Sequence, residues 1–397
     1  MSLTQNETQA LAVCYQRLKG HMPLTVIGLV GKEGNRLTYT AKLTFAQLAE
    51  QFNLVPTGVL PETVKLQRDL VSSRTNKIQV YLKNNDDFVF PAVIAVVEAL
   101  NIEALAINRA VEINLATDSY RWLVDGQGRL ASIKNILSEF PEYGDNTIDV
   151  KFILSLGVEK DAQLFTDINT TPTRPNKSQC IAMDSRSILN SFAKHLVQHS
   201  PVLANKICYS KSSVTRNATS DALWTLNQVT AFILIITGLS ASQSEAEFSR
   251  AERRDYWFGF INAYLNQLCA NPTFDDALHT VKPALEIRQN TIIGTSVFLK
   301  SMALLGKIMM LNFIESGEAK ADWSCMQSLA NIDLSYNNTE WLGRCLNFRG
   351  GYEDKSFNHK AMASYFCDVL AINKPQEIIE AEIQVSQSRS QLELEVA

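Results

Sequence analysis

The first part of the chain alternates hydrophobic and polar positions with periods that predict both strands and helices. A first amphipathic helix is predicted around residues 7–18. Two β-rich segments, TVIGLVG and RLTYTAKL, flank a polar stretch containing Gly34 and Asn35 and predict a β-hairpin. Thr44 follows the hairpin, and its hydroxyl can cap a helix that begins with FAQLAEQF.

Several more elements follow before residue 156. Extended apolar segments predict strands, with Pro91 at an irregular or edge position of the first one: VYLKNNDDFVFPAVIAVVEAL, EINLAT, YRWLVDG and TIDVKFILSL. The segment QGRLASIKNILSEF places Leu130, Ile133 and Leu137 on one face and predicts a helix between the last two strands. The N-terminal part is therefore predicted to be mixed α/β.

The pattern changes beyond that point, because the apolar segments take helical spacing and strand signals become few. Five segments show this spacing: AQLFTDIN, CIAMDSRSILNSFAKHLVQ, DALWTLNQVTAFILIITGL, DYWFGFINAYLNQLC and TSVFLKSMALLGKIMMLNFI. The sequence predicts an α+β fold, with a mixed α/β domain over residues 1–160 and a mainly helical domain over 161–375. Residues 376–397 are polar and acidic and predict a loosely held helix or a disordered tail.

Composition limits the classes of function. The formal net charge of the 397 residues is -4, so DNA could be attracted only by a local basic patch. The seven cysteines include no CxxC pair, and His195 and His199 lack a third ligand, so no metal site is predicted. The N-terminus is polar, and the most apolar run, Val229 to Leu239, is too short to span a bilayer. We expect a cytoplasmic protein without a membrane partner.

The sequence DGQGR, at residues 125–129, lies where a predicted strand turns directly into a helix. Such a junction presents free backbone N–H groups to an anion, and Gly126 and Gly128 allow a close approach. Arg129 suits phosphate, whereas Asp125 is better placed to orient that arginine or to hold a metal ion. An ordinary structural turn would carry the same dipeptides, so both interpretations stay open.

Two later segments also gather polar donors. Asp167 and Asn169 end an apolar helix, and the loop TTPTRPNKS then carries Arg174 and Lys177 towards the next helix start. The segment ICYSKSSVTRN places Lys211 and Arg216 among hydroxyl side chains, a mixture that contacts phosphate groups. Capped loops with solvated charges would look the same.

The order and spacing of these segments resemble the DGQHR-domain family, and most closely its DndB proteins. The segments SRTNKIQVYLKNNDDFVFPAVIAVV, MDSRSILN and KSSVTRNATSDALWTLNQV extend the resemblance over roughly Arg74 to Thr237. The DGQHR element is itself similar to the phosphate-binding motif of ParB-like and sulfiredoxin-like proteins, which implies a ParB-like N-terminal domain. Gly128 stands where family members usually carry histidine, so a role that needs an imidazole does not transfer.

The resemblance implies a protein encoded beside DNA phosphorothioation genes, where DndB-like proteins are negative transcriptional regulators that bind promoter DNA. Its expected partners are double-stranded operator DNA, a second copy of the chain in a homo-oligomer, and other DNA-modification proteins. The residues expected to contact the DNA are Arg129, Arg174, Lys177, Lys211 and Arg216. The residues expected to bind phosphate or nucleotide are Asp125, Gly126, Gln127, Gly128, Arg129, Asp167 and Asn169.

Two other functions remain open. In the first, the protein binds or hydrolyses a nucleotide with Mg²⁺, and Asp125, Gln127 and Arg129 are the candidate catalytic residues. The absent motif histidine favours binding over hydrolysis, so no catalytic residue is assigned. In the second, the helical part is an adaptor inside a modification or defence complex. The phosphate site also requires that residues 125–129 and the loop at 174–177 meet in space.

Overall fold

The computed structural model describes residues 4–20, 22–55, 72–170, 175–279, 281–316 and 322–396. The chain forms two compact units, Met1–Thr173 and Arg174–Ala397. The first contains a seven-stranded sheet with helices, and the second is built mainly from helices with one two-stranded sheet. The predicted α+β fold, with strands first and helices afterwards, is confirmed.

The first unit contains five helices and seven strands within the described residues. The helices are α1 (Gln5–Arg17), α2 (Phe45–Gln51), α3 (Ser72–Asn84), α4 (Gln127–Glu139) and α5 (Val158–Thr170). The strands are β1 (Leu24–Glu33), β2 (Arg36–Thr44), β3 (Val93–Val97), β4 (Asn101–Ala104), β5 (Ala110–Leu115), β6 (Arg121–Asp125) and β7 (Thr147–Leu154).

The sheet has the order β4-β5-β1-β2-β7-β3-β6, and only the β3–β7 pair is parallel. Side chains of β3 and β6 alternate between two cores, as the period of a strand requires. Leu123 joins the larger core with α2 and α4, whereas Trp122 and Val124 pack with α1 and α5. The end of the sheet that leads into residues 125–129 is thus covered by helices on both faces.

Local sequence signals explain where the early elements begin. The hairpin of β1 and β2 is confirmed, and Gly34 takes a φ of 58° in its turn. Thr44 accepts a hydrogen bond from the Gln47 N–H, while the Gln47 side chain accepts from the Thr44 N–H. This reciprocal capping box fixes the start of α2 as predicted.

The second unit is organised around a long apolar helix. Its helices are α6 (Lys177–Met183), α7 (Ile188–His199), α8 (Leu226–Thr237), α9 (Ala241–Ser249), α10 (Ala251–Leu268), α11 (Pro272–Leu278), α12 (Ala284–Asn290), α13 (Ser296–Ser316), α14 (Asn358–Val369) and α15 (Gln376–Val396). Two short strands, β8 (Ile207–Cys208) and β9 (Trp224–Thr225), pair in parallel.

Helix α13 packs against α8 and α14 in the core of this unit. Within the described residues, its stretch Ser296–Ile314 is long and apolar enough to cross a membrane, and 61% of that stretch is buried inside the protein. Buried side chains on several faces are typical of a core helix. This stretch is longer than the run Val229 to Leu239, which lies in α8 and the turn that follows it.

Three local predictions need correction. The residues VYLKN, predicted within a strand, form the end of α3, and the strand β3 begins only after Pro91, at Val93. Trp224 and Thr225, predicted within a helix, form β9, and Thr225 then caps α8. Strand β4 was not predicted, because its sequence NIEA is short and mostly exposed.

The C-terminal segment forms a helix that packs on α14. Ile378, Ala381 and Val385 are buried on one side of α15. Arg344 is only 6% exposed and makes ion pairs with Glu340 and with Glu382 of α15. The helical alternative for this tail is therefore correct, and the helix is held by both apolar and charged contacts.

Candidate functional site

The turn at residues 125–129 requires glycine at position 126. Gly126 caps α4 with a φ of 115°, a backbone conformation that side chains other than glycine rarely adopt. A Cβ atom at this position would lie 2.5 Å from Cγ1 of Val93, which is fully buried in β3. The tight strand-to-helix connection thus follows from close packing of the turn on β3.

Arg129 is held by protein groups. Its Nη2 lies 2.6 Å from Oδ2 of Asp125, and its Nη1 donates to the carbonyl oxygens of Pro91 and Ala92, the latter at 3.1 Å. Only 13% of the side chain is exposed. Arg129 therefore fastens the start of β3 to the end of β6, and a phosphate at this guanidinium would compete with the Asp125 carboxylate.

Gln127 and Gly128 also face protein groups. The Gln127 amide is 6% exposed, donates to the Leu123 carbonyl and accepts from the Val55 N–H. The Gly128 carbonyl lies 2.7 Å from the hydroxyl of Ser132, which is also 3.1 Å from the Thr75 carbonyl. In this arrangement the side chains of the DGQGR turn stabilise the backbone around them, and their expected phosphate or nucleotide contacts stay a prediction.

Asp167 and Asn169 lie on the exposed side of α5. The Asn169 amide donates to the Phe165 carbonyl, and the Gln163 amide donates to the Asp167 carboxylate at 2.6 Å. The opposite side of α5 packs Phe165 and Ile168 against the small core that contains Trp122. Both predicted site residues thus belong to the same unit as the DGQGR turn and remain open to solvent.

The second and third polar segments meet in the helical unit. The side-chain amide of Asn176 donates to the Ser210 carbonyl at 2.7 Å, so the residues that follow, Lys177 and Lys211, extend from adjoining backbone. Both lysines are exposed. Arg174 lies outside the described residues.

The DGQGR turn belongs to the first unit and the loop before α6 to the second. The predicted meeting of these two segments at one phosphate site therefore stays a prediction. What the structure brings together is the loop before α6 and the segment Ile207 to Asn217, both inside the second unit.

Arg216 anchors the end of this third segment. Its Nε donates to the Gln289 carbonyl at 2.9 Å, and its guanidinium carbon lies 4.0 Å from the centre of the Tyr336 ring. Such stacking of arginine on an aromatic ring is favourable and fixes the orientation of the charged group. Arg216 therefore borders a defined feature of the helical unit.

That feature is a cavity of about 450 Å³ in the second unit, partly open to solvent. Its lining comprises Ser213, Val214, Thr215, Arg216, Gln228, Arg288, Gly294, Thr295, Ser296, Tyr336, Leu346, Gly350, Tyr352 and Asp354. The segment KSSVTRN contributes one wall, and the beginning of α13 contributes another. Cavities of this size commonly hold small-molecule ligands.

Positive charge prevails around the cavity. Arg288 is 2% exposed and donates through both terminal nitrogens to the carbonyls of Ala222 and Ala218. Burial lowers the pKa of Arg288, and the nearby carboxylate of Asp221 opposes this effect. The lining carboxylate, Asp354, pairs with Lys300 at 3.0 Å. Its charge is therefore balanced, and the arginines give the cavity a positive excess.

A separate cluster of possible metal ligands occurs at α11. Ligand atoms of Cys269, Asp275 and His279 lie within 4.8 Å of one another. The His279 ring already forms a hydrogen bond with the Asp275 carboxylate four residues away, at 2.8 Å. Burial and the Asp275 carboxylate raise the pKa of the Cys269 thiol to about 12, which opposes formation of the thiolate that a metal requires. Asp275 thus links His279 and Cys269 through side-chain hydrogen bonds.

Comparison with protein-family models assigns the chain. The model of the DndB family, described as DNA-sulfur modification-associated, matches residues 26–373 of the 397. The chain belongs to the DndB family. The match spans both units, and so includes the DGQGR turn, Lys177, Lys211 and the cavity. Comparisons with curated proteins and with solved structures give no match.

The family assignment confirms the predicted resemblance to DndB proteins and extends it well beyond residues 74–237, whereas the DGQHR-domain and ParB-like relationships stay predictions. The cavity was missed because its lining is scattered over more than a hundred positions, and only the wall formed by residues 213–216 had been singled out. Its other charged and aromatic residues, Arg288, Tyr336, Tyr352 and Asp354, carry no local motif. Their role emerges only from the packing of α12, α13 and the connection before α14.

Proposed function

We propose that this DndB-family protein binds duplex DNA through its helical unit and acts as a negative regulator of a DNA sulfur modification gene cluster. The observation that carries the proposal is the hydrogen bond from Asn176 to the Ser210 carbonyl, which joins the start of α6, where Lys177 lies, to the segment that contains Lys211. Membership of a family associated with DNA sulfur modification supports DNA as the partner.

Lys177 and Lys211 suit contacts with a phosphate backbone. Both are exposed, and no carboxylate in the described parts of the chain forms an ion pair with either. Their ammonium groups are therefore available to phosphates, where each contact releases a counterion and strengthens binding at low salt. Since the whole chain carries a net charge of -4, such a local patch has to supply the attraction.

The supporting backbone is well anchored. The Asn176 side chain caps α6 by accepting from the Gln179 N–H at 3.1 Å. The Ser178 hydroxyl is fully buried and accepts from the Asn227 N–H at the start of α8. Loops held in this way lose little conformational entropy when they bind, which favours affinity. Within a homo-oligomer, two copies of this surface would address the two halves of a symmetric operator.

The test is a mobility-shift assay with the promoter of the modification gene cluster. We expect the double substitution Lys177→Ala and Lys211→Ala to weaken binding by about tenfold or more, since each lost phosphate contact reduces affinity on all sequences. Lys282→Ala is the matched control, because Lys282 is an exposed lysine of the same unit that already pairs with Asp276. Equal affinity of the double variant and the wild type would exclude this surface.

A further inference from the structure

The cavity of the helical unit offers an anion site next to an aromatic site. Arg216 is oriented by the Gln289 carbonyl and by the Tyr336 ring, and the hydroxyls of Ser213 and Thr215 lie in the same wall. Hydrogen bonds from a fixed guanidinium to phosphate are strong and directional. This wall therefore matches a phosphate group.

The start of α13 adds to the same polarity. Thr295 and Ser296 line the cavity at the first turn of this 21-residue helix. The Thr295 hydroxyl accepts from the Phe298 N–H at 3.1 Å, which orients the helix start. The positive end of the helix dipole thus lies at the cavity.

A buried arginine adds to the positive charge at the cavity. Arg288 lines the cavity, is 2% exposed, and its Nε has no hydrogen-bond partner among the described residues. A buried cationic N–H without an acceptor is unfavourable, so the fold positions this arginine at a cost in stability. Arg288 packs closely on Gly294, where a Cβ would lie 2.6 Å from its Cγ, so the side chain is fixed beside the cavity.

The rest of the lining suits a planar body with hydroxyl groups. Tyr352 is 49% exposed, and Tyr336 carries the Arg216 guanidinium over its ring, which forms a flat layered surface. An exposed aromatic ring such as that of Tyr352 can stack with a nucleobase. Asp354 supplies carboxylate oxygens of the type that accept hydrogen bonds from ribose hydroxyls in nucleotide sites.

We propose that this cavity binds a free ribonucleotide, with Arg216 and the neighbouring hydroxyls at the phosphate, Tyr352 at the base and Asp354 at the ribose. The site lies in the helical unit and uses none of the DGQGR residues. It does not rest on the proposed DNA binding, because Lys177 and Lys211 do not line the cavity. Nucleotide affinity and promoter affinity are therefore separate measurements, and either can fail alone.

The experiment is isothermal titration of the full chain with the four ribonucleoside mono- and triphosphates in the presence of Mg²⁺. We expect at least one to bind with a micromolar dissociation constant, and its 2′-deoxy form, ribose 5-phosphate and inorganic phosphate to bind at least tenfold more weakly. Arg216→Ala should weaken nucleotide binding by about tenfold or more, whereas Arg250→Ala, an exposed arginine outside the cavity, should not.

Thermal unfolding of the wild-type chain provides a second measurement that does not depend on whether a variant folds. A ligand that binds the folded state raises the melting temperature as the ligand concentration increases. The expected result is a rise with the same nucleotide that gives heat in the titration. The absence of both signals for every ribonucleotide at millimolar concentration would overturn the proposal. So would a dissociation constant that is unchanged in a folded Arg216→Ala variant, or equally tight binding of ribose 5-phosphate.

Discussion

Replacing Gly126 by alanine separates the structural role of the DGQGR turn from a role in binding. Gly126 has a φ of 115°, and its new Cβ would lie 2.5 Å from Cγ1 of the fully buried Val93. Gly157, in the same unit, has a φ of 95° but open space where a Cβ would lie. Gly157→Ala is therefore a matched control that introduces backbone strain without the steric overlap.

The two contributions have different magnitudes. A side chain in this left-handed region costs about 1–3 kcal/mol, which applies to both glycines. Overpacking of a filled core costs about 1–3 kcal/mol more, and applies only to Gly126→Ala because Val93 is branched and enclosed. We therefore expect Gly126→Ala to destabilise the first unit by about 1–3 kcal/mol more than Gly157→Ala.

Hydrogen exchange followed by mass spectrometry suits a chain of two units, because it reports opening free energies peptide by peptide. The expected result is faster exchange in β3, β6 and α4 for Gly126→Ala than for Gly157→Ala, with the second unit unchanged. Equal destabilisation by the two substitutions would refute the packing argument. If the Gly126→Ala chain folds and exchanges like the wild type but no longer binds the promoter, the turn has a role in binding phosphate and not only in packing.

Three further predictions concern charged groups. Arg129→Ala should destabilise the first unit by about 2 kcal/mol, and faster hydrogen exchange of β3 should show this loss. The loss is smaller than that for breaking a fully buried ion pair, because Asp125 is 35% exposed. Burial lowers the pKa of His359 in the folded chain below its usual value of about 6.5. Below about pH 6.5 the unfolded chain therefore binds more protons than the folded chain, and the free energy of unfolding measured with urea should fall between pH 7 and 5. His359→Gln should reduce this dependence of stability on pH. Arg344→Ala should release α15 and accelerate tryptic cleavage there, and an unchanged cleavage rate would contradict the anchoring by Glu382.

Local sequence signals predicted much of the first unit because its elements are fixed by nearby residues. The hairpin, the Thr44 capping box and the helix after Gly126 depend on contacts within a few positions of the chain. VYLKN was misassigned because its alternation resembles a strand, whereas α3 packs Leu82 into the core beside α4. Tertiary packing outweighed local propensity there.

The candidate site, too, could be predicted from the sequence only in part. The exposed character of Lys177 and Lys211 could be predicted from polar loops, but their proximity depends on the bond from Asn176 to Ser210, which joins positions 34 apart. Arg129 and Arg216 are predicted from the sequence to contact phosphate, and that prediction stays open, but the sequence could not show that Asp125 and Tyr336 hold their guanidinium groups. Partners of a charged group are set by the fold and not by the motif.

The salt dependence of promoter binding tests directly whether Lys177 and Lys211 contact the phosphates of DNA. Each phosphate neutralised by a lysine contributes about 0.9 to the slope of log affinity against log salt concentration. We predict a slope about 2 units shallower per bound copy of the chain for Lys177→Ala, Lys211→Ala than for the wild type, and an unchanged slope for Lys282→Ala. Identical slopes for all three chains, or a wild-type affinity that does not respond to salt, would contradict it.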